Sequence, residues 1–206
     1  MLLTCDDLQQ LDKRYRAAFA NSLSGFKAAN LVGTRDVAGA DNLAIMSSAL
    51  HLGSHPFLLA LVLRPDDARQ HTLENILESG CYTLNHIHES FYRSAHQTAA
   101  RYPKEVSEFS AVGLTPQLLG DFPAPFVAES RIRLGLELRE HHPLAINGTH
   151  LLIGEVVLVD LPATAVGDDG SVDLVAAGTV AISGLDRYHK AETLSRLPYA
   201  KPDGSA

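Results

Sequence analysis

The 206-residue sequence predicts a mainly β (α+β) fold, an antiparallel barrel with short helices at its periphery. Three observations lead there. Short apolar runs bounded by turn-forming residues succeed one another through most of the chain. Strand follows strand without the regular βαβ alternation of a doubly wound sheet. Segments of helical spacing are brief and lie between the strands.

In chain order, residues 4–20 carry helical periodicity, with Thr4 and Asp7 spaced as a capping box and Leu8, Leu11, Tyr15 and Phe19 on one face. Strands are expected at 27–34 and 42–53, separated by the turn-forming residues 35–41. Residues 57–63, FLLALVL, are continuously apolar, as in a strand covered on both faces. Thr72 stands where an N-cap would, before a short helix that Gly80 stops. A strand follows at 81–87, then helices over 90–101 and 105–109. After the proline-rich stretch 121–126, Ile132, Leu134, Leu136 and Leu138 alternate with Arg131, Arg133, Gly135, Glu137 and Arg139, the clearest strand pattern in the chain. Further strands are expected at 150–161 and 178–183. The whole reads as one domain over 1–206, with an N-terminal helix within 1–24 and a polar C-terminal tail over 190–206.

Composition narrows the function classes. Hydrophobic residues make up 46% and charged residues 20%, enough for a core without disulfide staples. The two cysteines, Cys5 and Cys81, form no C-x-x-C pair and suit a reducing compartment. The longest apolar run is seven residues, Phe57 to Leu63, against the ~20 needed to cross a bilayer. Asp6 and Asp7 stand where a signal peptide would be basic and then apolar, so the expected location is cytoplasmic. A net charge of −7, scattered Lys and Arg, and no Trp argue against nucleic-acid binding.

No G-x-G-x-x-G, P-loop or G-x-S-x-G elbow is present. Ten histidines raise a metal reading, with His86 and His88 on one side of a strand and His141, His142 or His150 as a third ligand. No recognisable ligand spacing completes that set. A second constellation is more coherent. Ser47, Ser48 and Ser54 lie along a strand and its exit, where small side chains let a flat ligand approach backbone amides. Arg64, Arg69, His71 and Thr72 precede a helix, an arrangement suited to a phosphate. An ordinary capped helix with solvated arginines has the same pattern.

The stretches NLAIMSSALHLGSHPFLLALVLRP, HTLENILESGCYTLNHI, AHQTAARYPKEVSEFSAVGLTP, APFVAESRIRLGLEL, NGTHLLIGEVV and ISGLDRYHKAETLSRLPYAKP, in this order and spacing, resemble the flavin reductase-like, FMN-binding split-barrel family from about Gly25 to Pro202. The resemblance implies an antiparallel split β-barrel, a homodimer, and FMN in a groove at the dimer interface. Carried over by position, Asn42, Leu43, Ala44, Met46, Ser47 and Ser48 line the flavin ring. Ser54, Arg64 and Thr72 lie toward the ribityl chain and phosphate, with Asn75 and Asn85 supporting the pocket. Leu185 and Tyr188, within Ser183 to His189, close over the flavin or simply pack a loop. His150 stands near the flavin or nicotinamide, although the Asp of the family's G-D-H is Thr149 here. The implied activity is hydride transfer from NAD(P)H to flavin and onward to oxygen, a partner oxygenase or another acceptor. A non-catalytic FMN-binding or electron-carrier protein fits the same residues, and a metal-dependent barrel enzyme is the remaining alternative.

Overall fold

The structure, a computed structural model, describes residues 1–65 and 70–202. Two helices open the chain, α1 (Cys5–Gln10) and α2 (Lys13–Leu23), where the periodicity had suggested one. The break has a local cause. Asp12 turns extended, and its Oδ1 accepts from the backbone N–H groups of Arg14 and Tyr15, capping a second helix. The Thr4–Asp7 capping box forms as expected, with Asp7 N–H reaching Thr4 Oγ1 at 3.3 Å. Neither helix buries a residue.

The strands follow: β1 (Lys27–Ala28), β2 (Asn30–Arg35), β3 (Asp41–Met46), β4 (Ala49–Ser54) and β5 (Phe57–Leu63). After α3 (Gln70–Ser79) come β6 (Cys81–His86), α4 (Tyr92–Gln97), α5 (Glu108–Val112), β7 (Pro116–Gln117) and β8 (Phe126–Val127). The two longest strands, β9 (Arg133–Pro143) and β10 (His150–Asp160), form a hairpin, and β11 (Val180–Ser183) and β12 (Arg187–Lys190) another. The last strand falls in a segment that the sequence had suggested as a loop. No helix among the described residues is long and apolar enough to cross a membrane.

Seven strands join in the order β3-β2-β6-β9-β10-β5-β4, every pairing antiparallel. β3 and β4 stand at opposite edges of that order, yet only Ser47 and Ser48 separate them in the chain. Three Cα steps span at most about 11 Å. The two edges must therefore meet, and the sheet rolls into a barrel with its seam at these serines. Ser48 fastens the seam through its Oγ donating to the Val62 carbonyl at 2.6 Å and its own carbonyl accepting from Val62 N–H at 3.3 Å. The expected single strand over 42–53 is thus two strands on two edges.

The barrel interior is filled by Val32, Ala44, Met46, Leu61, Leu63, Ile76, Tyr82, Leu84, Leu136 and Leu152. A second core, built on Leu31, Leu43, Ile45, Ile87, Phe91, Phe109 and Ile182, joins the barrel's outer face to α4, α5 and the separate sheet β1-β11-β12. Strand β3 feeds both. Its alternate residues face opposite sides, and Leu43 to Met46 are all buried. The mainly antiparallel, mainly β architecture expected from the sequence is present, with the helices outside it.

Candidate active site

A cleft of about 420 Å³ opens beside the seam. One wall is the barrel edge, Ile45 to Leu50 with Val62 and Arg64. The other wall comes from parts remote in sequence: Asn21 and Ser24 at the end of α2, Lys27 of β1, His96 of α4, Ala99 just after it, and Ile182, Gly184 and Leu185 around the β11–β12 turn. The cleft lies where the barrel and the small sheet meet.

Its electrostatics differ from those of the chain as a whole. Among the described residues the lining holds Lys27 and Arg64 and no Asp or Glu, although the net charge of the protein is −7. Lys27 Nζ donates to the Asn21 carbonyl at 3.1 Å and to Ser24 Oγ at 2.8 Å, neutral partners that seat the ammonium without cancelling its charge. The floor is apolar, from Ile45, Met46, Ala49, Leu50 and Ile182. A flat, partly apolar anion suits such a surface.

Of the residues singled out from sequence, Met46, Ser47, Ser48, Arg64 and Leu185 meet in this cleft. The others do not line it. Leu43 and Ala44 lie just before it on β3 and are buried in the two cores. Asn42, Thr72 and Asn75 form a network with Thr34 between β2, β3 and α3. Asn42 Nδ2 donates to Thr34 Oγ1 and Thr72 Oγ1, both at 3.0 Å, and Asn75 Nδ2 donates to Thr34 Oγ1 at 3.1 Å. Thr72 is not an N-cap, because α3 already begins at Gln70 and places it inside the first turn, 1% exposed. Arg69 lies outside the described residues. Asn85 is wholly buried, donating to the Leu31 carbonyl and Thr83 Oγ1 and accepting from Val127 N–H.

Ser54 is exposed at the end of β4, opposite Phe57. His150 begins β10 opposite Leu63, one residue before Arg64, and its Nδ1 lies 2.8 Å from His141 Nε2 with the rings stacked. Burial, with His150 second, pushes the His141 pKa down. The two histidines weighed as a metal pair have separate partners: His86 Nδ1 meets Thr179 Oγ1 at 3.3 Å and His88 Nδ1 meets Ser90 Oγ at 2.8 Å. Among the described residues no three His, Cys, Asp or Glu side chains gather as a metal-holding group.

Tyr188 sits behind the cleft wall rather than in it, its hydroxyl 3.0 Å from Nδ1 of His96. Burial pushes its pKa up to about 12, with Asp186 adding to the effect. Asn21, Ser24, Lys27 and His96 are the polar lining residues that sequence reasoning missed. No local motif marks any of them.

A family model described as flavin reductase like domain matches residues 26–175. A split-barrel protein of the flavin-reductase type from Shewanella frigidimarina NCIMB 400 is 52% identical, with a TM-score of 0.93 over 97% of this chain and 100% of that one. Nitrilotriacetate monooxygenase component B from Bacillus cereus shares the fold at 20% identity, with a TM-score of 0.84 over 96% of this chain and 98% of that one. An uncharacterized protein of Halalkalibacterium halodurans is 29% identical over 80% of this chain and 81% of its own length. An uncharacterized Aquifex aeolicus protein is 25% identical over 56% of this chain, which spans 58% of that relative.

Proposed function

Since this chain belongs to the flavin reductase-like family, we propose that it holds FMN in the cleft between barrel and small sheet and reduces it with NAD(P)H. The observation that carries the reading is the cleft itself, an apolar floor flanked by Arg64 and Lys27 with no described carboxylate, in a chain of net charge −7. FMN combines a flat ring system with a phosphate, and these residues fit both. The seam residues Met46 to Ser48 offer a small-residue backbone surface to the ring. Arg64, one residue beyond β5, is held at the end of a rigid strand and supplies a planar set of N–H donors to the phosphate.

FMN, when bound, supplies the redox chemistry, taking hydride from NAD(P)H and passing electrons to oxygen, a partner oxygenase or another acceptor. The protein's part is binding, orientation and electrostatics, so no side chain has to act as a nucleophile. His150, one strand over from Arg64, is the candidate for contact with the incoming nicotinamide.

The same reading includes a cytoplasmic homodimer. Leu50, Leu52 and Phe57 on the β4–β5 hairpin are 49%, 46% and 39% exposed, and Leu50 also lines the cleft. A second copy covering that edge would extend the cleft wall.

The test is direct. The purified protein should be yellow, release FMN on denaturation, and consume NAD(P)H when FMN and oxygen are supplied. A colourless protein that also fails to take up added FMN overturns the proposal. FMN binding without NAD(P)H consumption reassigns the chain as a flavin holder or electron carrier.

A further inference from the structure

The α4 helix turns Tyr92 and His96 to one side, four residues apart, and both meet Tyr188 of β12. The Tyr92 and Tyr188 rings lie 5.3 Å apart, and the His96 ring meets Tyr188 edge-on at 5.7 Å. Tyr188 is half-buried, and the only side-chain hydrogen bond of its hydroxyl among the described residues is the one with His96 Nδ1.

That contact couples the tyrosine hydroxyl to the tautomer of the imidazole. A phenol hydroxyl can donate or accept, and neutral imidazole has one donor and one acceptor nitrogen. Burial holds the phenol in its protonated form, so its proton is available to Nδ1, 3.0 Å away. With the hydroxyl as donor, Nδ1 is the acceptor and the proton of the neutral ring resides on Nε2. His96 itself lines the cleft.

We propose that His96 is a ligand-binding residue of the cleft, donating from Nε2–H to an acceptor atom on the heterocyclic edge of bound FMN, and that Tyr188 is the positioning residue that fixes its tautomer and ring plane. The proposal rests on the FMN reading above and adds a specific donor to it. Ser47 and Ser48 face the ligand from the barrel wall, Arg64 takes the phosphate end, and His96 reaches from the opposite wall. Tyr188 thereby acts on the ligand without touching it, which accounts for its place behind the lining rather than in it.

A double-mutant cycle on full-length protein tests this, with FMN dissociation constants read by fluorescence quenching and folding checked by far-UV circular dichroism. His96 is exposed, so His96→Ala should leave the fold intact and weaken FMN about three- to tenfold, the range of one neutral hydrogen bond. His96→Asn, which keeps an N–H donor, should recover part of that loss. Tyr188→Phe keeps the ring packing and should weaken FMN about two- to threefold when His96 is present and not at all in the His96→Ala background. An equal effect of Tyr188→Phe in both backgrounds overturns the positioning role. Wild type that binds FMN while His96→Ala binds it equally well overturns the inference and leaves the FMN reading standing. Wild type that binds no FMN overturns both.

Discussion

Arg64 concentrates the site's chemistry in one side chain. It lies one residue beyond β5, lines the cleft and, among the described residues, is paired with no carboxylate. Hydrogen bonds to a charged group contribute about 1.5–3 kcal/mol each. Arg64→Ala should therefore weaken FMN roughly ten- to a hundredfold while leaving riboflavin, which lacks the phosphate, unchanged. Titration calorimetry with both ligands checks this, and equal losses for the two would make Arg64 a structural residue. Arg64 and the serine pair were legible in the sequence because they are near neighbours along the chain. Lys27 and His96 were not, since the wall they form comes from segments about 70 residues apart that only tertiary packing brings together. Thr72 was misread for a more local reason: a Thr before an apolar run marks an N-cap only if the helix starts after it, and α3 starts earlier. His86 carries a separate consequence. Burial pushes its pKa down to about 4, while the unfolded imidazole titrates near 6.5. Between those values the unfolded chain binds more protons than the folded one, so stability falls as pH drops from about 6.5 to 4, by on the order of 3 kcal/mol from this group. Urea unfolding across that range should be less pH-dependent in His86→Gln than in wild type. Parallel slopes would count against a buried neutral His86.

At the scale of elements, the seam organises the molecule. The sequence from 42 to 53 reads as one strand because its pattern of apolar and small residues continues through Ser47 and Ser48. Nothing local records that the residues before and after them pair with opposite edges of the sheet. The strand at 57–63, by contrast, was legible from its apolar run. It is not covered on both faces as that run suggested: only Ala60, Leu61 and Leu63 are buried and Phe57 is exposed, because β5 pairs with the edge strand β4. The hairpin β11–β12 was half legible: polar residues over 187–190 conceal a strand whose pairing is held by backbone groups. Close approach within the sheet gives a sharp test. A Cβ on Gly33 would stand 2.2 Å from the Pro125 carbonyl oxygen and 2.5 Å from Thr83 Oγ1, which itself donates to Pro125 at 2.7 Å. Backbone on one side and a buried hydrogen bond on the other leave no soft neighbour to yield. Gly33→Ala should cost about 1–3 kcal/mol or more, read as a lower urea midpoint. An unchanged midpoint would mean that the loop carrying Pro125 moves freely against the barrel.

At the scale of the whole molecule, the described chain leaves much apolar surface uncovered. The helices α1 and α2 bury nothing, Leu194 and Tyr199 of the tail are 99% and 88% exposed, and the β4–β5 edge presents Leu50, Leu52 and Phe57. Neighbouring exposed apolar residues on a strand edge mark a surface suited to a partner. Interfaces of lasting dimers bury about 2,000 Å² or more and are rich in apolar side chains. The β4 edge has the further property of adjoining the cleft through Leu50. If a second copy completes the site, its affinity for FMN and its self-association are thermodynamically linked, and each must strengthen the other. Light scattering at micromolar concentration should then give about 44 kDa, twice the 22.2 kDa chain mass, and dilution toward the monomer should weaken FMN binding. Leu52 lies on the edge but does not line the cleft. Leu52→Glu places a carboxylate on that proposed dimer edge and should yield a folded 22 kDa species with reduced FMN affinity that added FMN partly returns to dimer. A Leu52→Glu protein that stays dimeric would move the interface elsewhere. A monomeric variant with full FMN affinity would show instead that one chain alone completes the cleft.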